Sequence, residues 1–388
     1  MENSEYRQIK MACRLAMATS AIVNNFPPLL FTIFQKEFGL SLGSISALIA
    51  INFLAQIVGA IASPALIKRL GQHSTIIIGH GLCGAGLIIL ARYTTVEPSP
   101  FLDIAITLAV SAFGSGIINV TINPIIESIC QGQSGRERSS IYAFYCWGFV
   151  LVVLITTLAL SLLGQSFWRA ITIAWALVPF ITGAIFGNSR HPKETFTAPV
   201  FKLINNKTII IFLILMFCAG AAEQSMAQWA SLFAKNGLGL SKTTGDLAGP
   251  CVFAAAMGLA RWLYPKIIPE SRFAKFMLIS ALACASGYAI VALAPIAALA
   301  FIGCGLIGLS VGILWPGTLS LSAERFSGGK ESMFAALVVF GNLGCAVGPA
   351  LVGATANLTE SLHTGILFGL IFPIAFGVFL LFNKKAKN

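Results

Sequence analysis

The sequence predicts an all-α membrane protein of twelve transmembrane helices in two six-helix bundles. Three observations carry that expectation. About twelve apolar stretches, each near the length a helix needs to cross a bilayer, stand six on either side of one charged segment, residues 188–207. Of the 388 residues, 57% are hydrophobic and 10% charged, and the mean hydropathy is +0.85, more apolar side chain than a soluble domain of this length can bury. The runs are continuous and far longer than the roughly ten alternating residues of a membrane barrel strand. The expected division is an N-terminal bundle over residues 1–187, a cytoplasmic central loop over 188–207 and a C-terminal bundle over 208–388.

Span 1 (residues 11–34) carries Asn24 and Asn25 just before Pro27 and Pro28, near mid-membrane. The prolines remove backbone donors and leave carbonyl acceptors unpaired, so an amide pair beside them either lines a polar cavity or repairs the helix. Spans 2 (42–66) and 3 (74–93) are joined by the basic turn Lys68-Arg69-Leu70, and His80 in span 3 reads as a packed polar residue. Span 4 (101–129) sets Asn119, Asn123 and Glu127 at i, i+4 spacing on one face, with Pro124 beside them. The asparagines suggest a neutral polar pocket. Glu127, near the cytoplasmic end, suggests an interfacial ion pair or gate with Arg69, Arg136 or Arg138. Span 5 (139–163) offers Tyr142, Tyr145 and Trp147, of which Tyr145 is taken as a binding candidate. Trp168, at the start of span 6 (168–187), is expected to anchor the membrane interface.

Span 7 (208–233) is the richest in polar groups, with Glu223, Gln224, Ser225, Gln228 and Trp229 interrupting an apolar helix. Glu223 is the one acidic residue expected well inside the hydrocarbon, where a carboxylate is costly unless paired, protonated or facing water. It therefore suggests either coupling to a proton or cation, acceptance of a solute hydroxyl, or a structural hydrogen bond to another span. Gln224 and Gln228 are i, i+4 partners, and Trp229 reads as an interface anchor. Span 8 (244–265) contains Arg261, expected to snorkel to the cytoplasmic surface or pair with a neighbouring helix, and counted with the gating residues. Span 9 (273–293) is plain. In span 10 (296–322), Trp315 precedes Pro316 where Asn123 precedes Pro124 in span 4, making it the expected aromatic wall of a pocket. Span 11 (332–356) contributes Asn342 to the binding candidates, and its Gly341, Gly344, Gly348 and Gly353, with Pro349 among them, should let neighbouring backbones approach and the helix bend. Span 12 (363–382) is uniformly apolar.

The halves share a plan. Gly116 stands eight residues before Pro124, and Gly308 eight before Pro316, each in the fourth span of its half, as parallel six-helix repeats would leave behind. The net charge of +11 is an orientation signal more than a nucleic-acid footprint. When the spans alternate, nineteen Lys and Arg residues fall on one side and five on the other, which puts both termini and the central loop in the cytoplasm. No cleavable signal is apparent, so a multi-pass protein of the plasma (inner) membrane is expected. The nine cysteines form no CxxC pair and read as small packing residues. There is no Walker A pattern, no Cys/His metal cluster and no convergent acid–base set, so neither an enzyme nor a cofactor is expected.

Asn24-Asn25-Phe26, with Phe34-Gln35, Phe38 and Leu40 following, resembles the first helix of the fucose permease-like sugar–proton symporters of the major facilitator superfamily. Lys68-Arg69-Leu70 resembles that family's loop between helices 2 and 3, without the acidic residue usual there. Asn123-Pro124 is similar to its fourth-helix motif. Pro316, Thr318, Ser320 and Leu321 are similar to the tenth-helix pattern, and Gly348-Pro349 with Gly353 to the eleventh. The resemblance implies secondary transport of a small polar solute, a monosaccharide or related polyol, by rocker-switch alternating access, with the bilayer and a proton or sodium ion as partners and a functional monomer. Two acidic positions of fucose permease are Pro28 and Asn119 here, so the resemblance carries over neither fucose specificity nor the same proton route. Glu223 resembles a helix-7 acidic position of some relatives. An exporter of amphipathic compounds and a non-transporting receptor or scaffold stand as alternatives.

Overall fold

The computed structural model describes residues 3–93, 99–129, 135–187, 207–269, 272–325 and 330–385. Among the described residues every regular element is helical, and the chain divides into two compact units, Met1–Thr195 and Phe196–Asn388. The central segment 188–206 lies outside the described residues.

Unit 1 contains α1 (Asn3–Phe38), α2 (Leu42–Tyr93), α3 (Pro100–Ile129), α4 (Gly135–Leu163) and α5 (Trp168–Gly187). Helix α2 has 52 residues and would reach about 78 Å if straight at 1.5 Å per residue. It is turned at Gly71, where φ is 81° and ψ 158°, a conformation that costs glycine little and a side-chain-bearing residue much. The expected spans 2 and 3 are therefore two crossings joined through that turn. Among the described residues eleven helical stretches are long and apolar enough to cross a membrane, and the longest of them, Leu42–Arg92, holds both of these crossings. Helix α1 runs two turns further toward the N-terminus than the apolar pattern suggests, because Ile9, Ala12, Cys13 and Ala16 join a core with Ile76, Ile118, Ile122 and Ile141.

Unit 2 contains α6 (Lys207–Leu232), a π-helical turn Phe233–Gly237, the short α7 (Lys242–Asp246), a second π-helical turn Leu247–Cys251, α8 (Val252–Ile267), α9 (Phe273–Leu293), α10 (Ala297–Arg325), α11 (Lys330–Thr359), α12 (Leu362–Phe368) and α13 (Ile371–Lys385). Two expected spans are interrupted. Span 8 opens with α7 and passes through the π turn at Pro250, which has no N–H to continue a regular ladder. Span 12 is divided into α12 and α13 at residues 369–370, where Pro373 cannot donate to the Gly369 carbonyl.

Small residues set the closest helix pairs. A Cβ on Gly344 would run into the Phe217 carbonyl, and one on Gly348 would meet Ala221, so α11 lies with its backbone against α6. The two halves use the same device in their fourth spans. A Cβ on Gly116 would strike the Gln56 carbonyl on α2, and one on Gly308 the Phe253 carbonyl on α8. The recurring glycine thus has one structural meaning in both units, contact between the fourth and second spans.

Candidate functional site

In unit 1 the polar residues of α1 meet those of α2 and α4. Gln56 Nε2 donates to Asn24 Oδ1 at 2.8 Å, and the Tyr145 hydroxyl accepts from Asn24 Nδ2 at 3.4 Å and from Asn25 Nδ2 at 3.2 Å. Asn25 Nδ2 also donates to the Ala21 carbonyl at 2.9 Å. That carbonyl is not one freed by a proline, since Pro27 and Pro28 would have bonded to Val23 and Asn24. That bond of Asn25 therefore does not repair the proline break. Ser20 Oγ donates to Asn119 Oδ1 at 3.2 Å, which ties α3 to the same stretch of α1. All these groups are neutral, and Asn24, Asn25 and Gln56 are buried. Among the described residues the buried oxygens Asn25 Oδ1 and Asn52 Oδ1 have no hydrogen-bond partner, and neither have the hydroxyls of Thr19, Thr32 and Ser115. Unit 1 thus holds buried acceptors and hydroxyls that are open, an arrangement that costs stability unless something else pairs them.

In unit 2 the polar face of α6 is a chain of hydrogen bonds anchored by an ion pair. Arg261 Nη2 of α8 lies 2.8 Å from Glu223 Oε2, with both side chains under one-tenth exposed. Gln224 Nε2 donates to Glu223 Oε1 at 3.3 Å, and Gln228 Nε2 donates to Gln224 Oε1 at 3.0 Å. Asn342 on α11 is buried, and its Nδ2 has no partner among the described residues. The Trp315 ring lies over Gly341, the residue before it, where a Cβ would clash with the indole. The unit thus sets a paired charge, two linked glutamines, an unpaired amide donor and an aromatic ring on α6, α8, α10 and α11.

Several expectations are corrected by packing. Glu223 is bonded to the guanidinium of Arg261, not to an Asn, Tyr or Trp of another span, and of the two alternatives for Arg261 the structure shows the pairing with a neighbouring helix. Trp168 does not anchor an interface. It is fully buried, donates from Nε1 to Glu37 Oε2 at 2.8 Å and meets the Phe34 ring edge-on at 5.5 Å. Trp229 is likewise buried, and its indole N–H reaches the Pro349 carbonyl at 2.9 Å, tying α6 to α11. Asp246, at the end of α7, is fully buried against Lys242 at 2.6 Å and Ser231. Trp147 is 43% exposed. His80 is the packed polar residue expected, with Nδ1 on the Ile76 carbonyl at 2.9 Å and its ring against Phe186. Arg69 is exposed beside the Gly71 turn, while the side chains of Asn123 and Glu127 lie outside the described residues. The residue that sequence reasoning missed is Gln56. Its signal was present, because Asn52 and Gln56 are an i, i+4 polar pair in an apolar span, the same pattern that marked span 4.

A family model, the Major Facilitator Superfamily, matches residues 14–349. A search of curated proteins by sequence gives no match. Among solved structures, the fucose:proton symporter FucP of E. coli is similar with a TM-score of 0.70 and 16% identity, over 98% of this chain and 99% of that one. The nucleoside transporter NupG gives 0.73 and 15%, over 99% and 100%. A bacterial homologue of the human lysosomal transporter Spinster, inward-facing and occupied, gives 0.74 and 14%, over 98% and 97%. At such identities the structural likeness is one of fold, and it agrees with a sequence match that covers most of the chain: this is a multi-pass membrane protein belonging to the Major Facilitator Superfamily of transporters.

Proposed function

We propose that the chain is a secondary transporter of a small, uncharged, hydroxyl-rich solute, of the monosaccharide or polyol class, working by alternating access as a monomer in a plasma (inner) membrane with cytoplasmic termini and central loop. The observation that carries the reading is the set of open, uncharged polar atoms buried in unit 1. Among the described residues Asn25 Oδ1 and Asn52 Oδ1 and the hydroxyls of Thr19, Thr32 and Ser115 have no hydrogen-bond partner, and Asn25 belongs to the neutral set with Asn24, Gln56 and Tyr145. A polyol supplies hydroxyl donors and imposes no charge. Gln224, Gln228, Asn342 and Trp315 are the corresponding proposal in unit 2, with amides for hydroxyls and an indole face for the apolar side of a ring.

Coupling is assigned to Glu223. Protonating it would dissolve the ion pair with Arg261, so a proton can be exchanged for a change in the hydrogen bonding of α6 and α8. The fold is shared with a fucose:proton symporter and with a nucleoside transporter, and a nucleoside also presents a pentose. The test is uptake into proteoliposomes from a panel of sugars, polyols and nucleosides under an imposed proton gradient. Saturable accumulation of one such solute is expected. No flux of any of them, together with raised cellular resistance to hydrophobic toxins, would sink the reading in favour of an amphipath exporter. In the Glu223→Gln variant gradient-driven accumulation should be lost while counterflow persists. Intact accumulation with unchanged pH dependence would remove Glu223 from coupling.

A further inference from the structure

The first helix of each unit ends in a related segment, Phe34-Gln35-Lys36-Glu37-Phe38-Gly39-Leu40-Ser41 in unit 1 and Phe233-Ala234-Lys235-Asn236-Gly237-Leu238-Gly239-Leu240-Ser241 in unit 2. Gly39 and Gly239 both take the left-handed conformation, with φ of 66° and 67°. Ser41 and Ser241 both cap the next helix, accepting from Ser44 N and Thr244 N at 3.1 Å in each case. Unit 2 is one residue longer between phenylalanine and the second glycine, and the surplus residue is absorbed as the π turn Phe233–Gly237. The sixth span opens with Gln165-Ser166-Phe167-Trp168 in unit 1 and Glu360-Ser361-Leu362-His363 in unit 2, so Trp168 and His363 hold equivalent places. Each ring meets the equivalent phenylalanine edge-on, Trp168 with Phe34 at 5.5 Å and His363 with Phe233 at 4.9 Å. Each also fastens the sixth span to the end of the first.

The chemistry of the two fasteners differs. Trp168 uses an indole N–H, a permanent donor, on the Glu37 carboxylate. His363 sits between two backbone carbonyls, with Nδ1 at 2.9 Å from Ala292 O at the end of α9 and Nε2 at 3.1 Å from Gly237 O in the π turn. A neutral imidazole has one N–H, so it can satisfy one carbonyl and must turn a lone pair toward the other. Only the imidazolium donates to both. From this we infer that His363 is a proton-binding site, and that the bound proton latches the ends of α6, α9 and α12 together at one end of unit 2. The indole in unit 1 has one N–H in every state and cannot respond to a proton.

The charged groups on the surrounding elements are Lys235 in the π turn, Glu360 in the turn leading into α12, and Lys242 with Asp246, paired to each other on α7. Tyr288 on α9 is occupied by the Ala222 carbonyl, and α11 brings no charged residue to this end. Among the described residues no carboxylate forms an ion pair with the ring, so the carbonyls are its partners. The inference concerns the closure of unit 2 and does not depend on which solute is carried.

The test is hydrogen–deuterium exchange of the whole protein in lipid nanodiscs at several pH values between 5.5 and 8, corrected for intrinsic exchange. Residues 233–240 and 290–296 should exchange about tenfold more slowly at the acid end, the scale of one hydrogen bond to a charged group acting on local opening. In His363→Gln the two segments should keep one protection level across the range, while the equivalent segment 34–41 of unit 1 is pH-insensitive in both proteins. Equal protection of the wild type at pH 5.5 and 8 would overturn the proposal, as would the same pH response in wild type and variant. If the variant does not fold, the wild type decides alone: both segments of unit 2 must lose protection together as pH rises, and 34–41 must not.

Discussion

The buried pair Glu223–Arg261 shows how little a residue's identity says about its state until its partner is known. A carboxylate in hydrocarbon and a guanidinium in hydrocarbon are each costly, but at 2.8 Å they form one neutral group with a glutamine amide on the free oxygen. Removing one partner strands the other. Arg261→Met should therefore destabilise the protein by about 3–5 kcal/mol, whereas the double variant Arg261→Met, Glu223→Leu should recover most of that loss. Thermal unfolding of the purified single and double variants measures both, and additive losses would show that the pair is not coupled. In unit 1 the matching experiment is Gln56→Leu, which removes the 2.8 Å bond from Gln56 to buried Asn24 Oδ1 and should cost about 1–3 kcal/mol by the same measurement.

At the scale of elements, backbone contact through glycine decides which helices pair. Residues 341, 344 and 348 of α11 were recognisable as a small-residue stripe, but only the fold supplies the surface they meet: Gly341 lies under the Trp315 ring, Gly344 on Phe217 and Gly348 on Ala221. Because the obstacle behind Gly344 is a backbone carbonyl and not a movable side chain, Gly344→Leu forces α11 away from α6. Loss of folded protein, seen as aggregation in size-exclusion chromatography, is expected, while Gly81→Ala, with open space at its Cβ, should behave as wild type. The π turns at Phe233–Gly237 and Leu247–Cys251 belong to this scale as well. One follows from an extra residue relative to the first half and the other contains Pro250, and neither leaves a mark in hydrophobic periodicity.

At the scale of the whole molecule, charge asymmetry and repetition are the organising facts. Nineteen basic residues against five predict which face of the membrane receives the termini and the central loop. Single cysteines placed near residue 3 and in 188–206 of a cysteine-less background should react with an impermeant maleimide only when the cytoplasmic face is opened, and one near residue 360 only from outside. The opposite pattern would invert the orientation proposed above. The sequence by itself determined the class and the number of crossings, and named the repeat and most of the polar candidates, because a hydrocarbon solvent punishes every misplaced charge or broken backbone and so writes its constraints residue by residue along the chain. Tertiary structure alone decided who meets whom. It joined Glu223 to Arg261, Gln56 to Asn24 and His363 to two carbonyls, and it buried Trp168 where an interface anchor was expected. Those pairings link residues as much as 126 positions apart, and no local pattern encodes a distance in space that only packing creates.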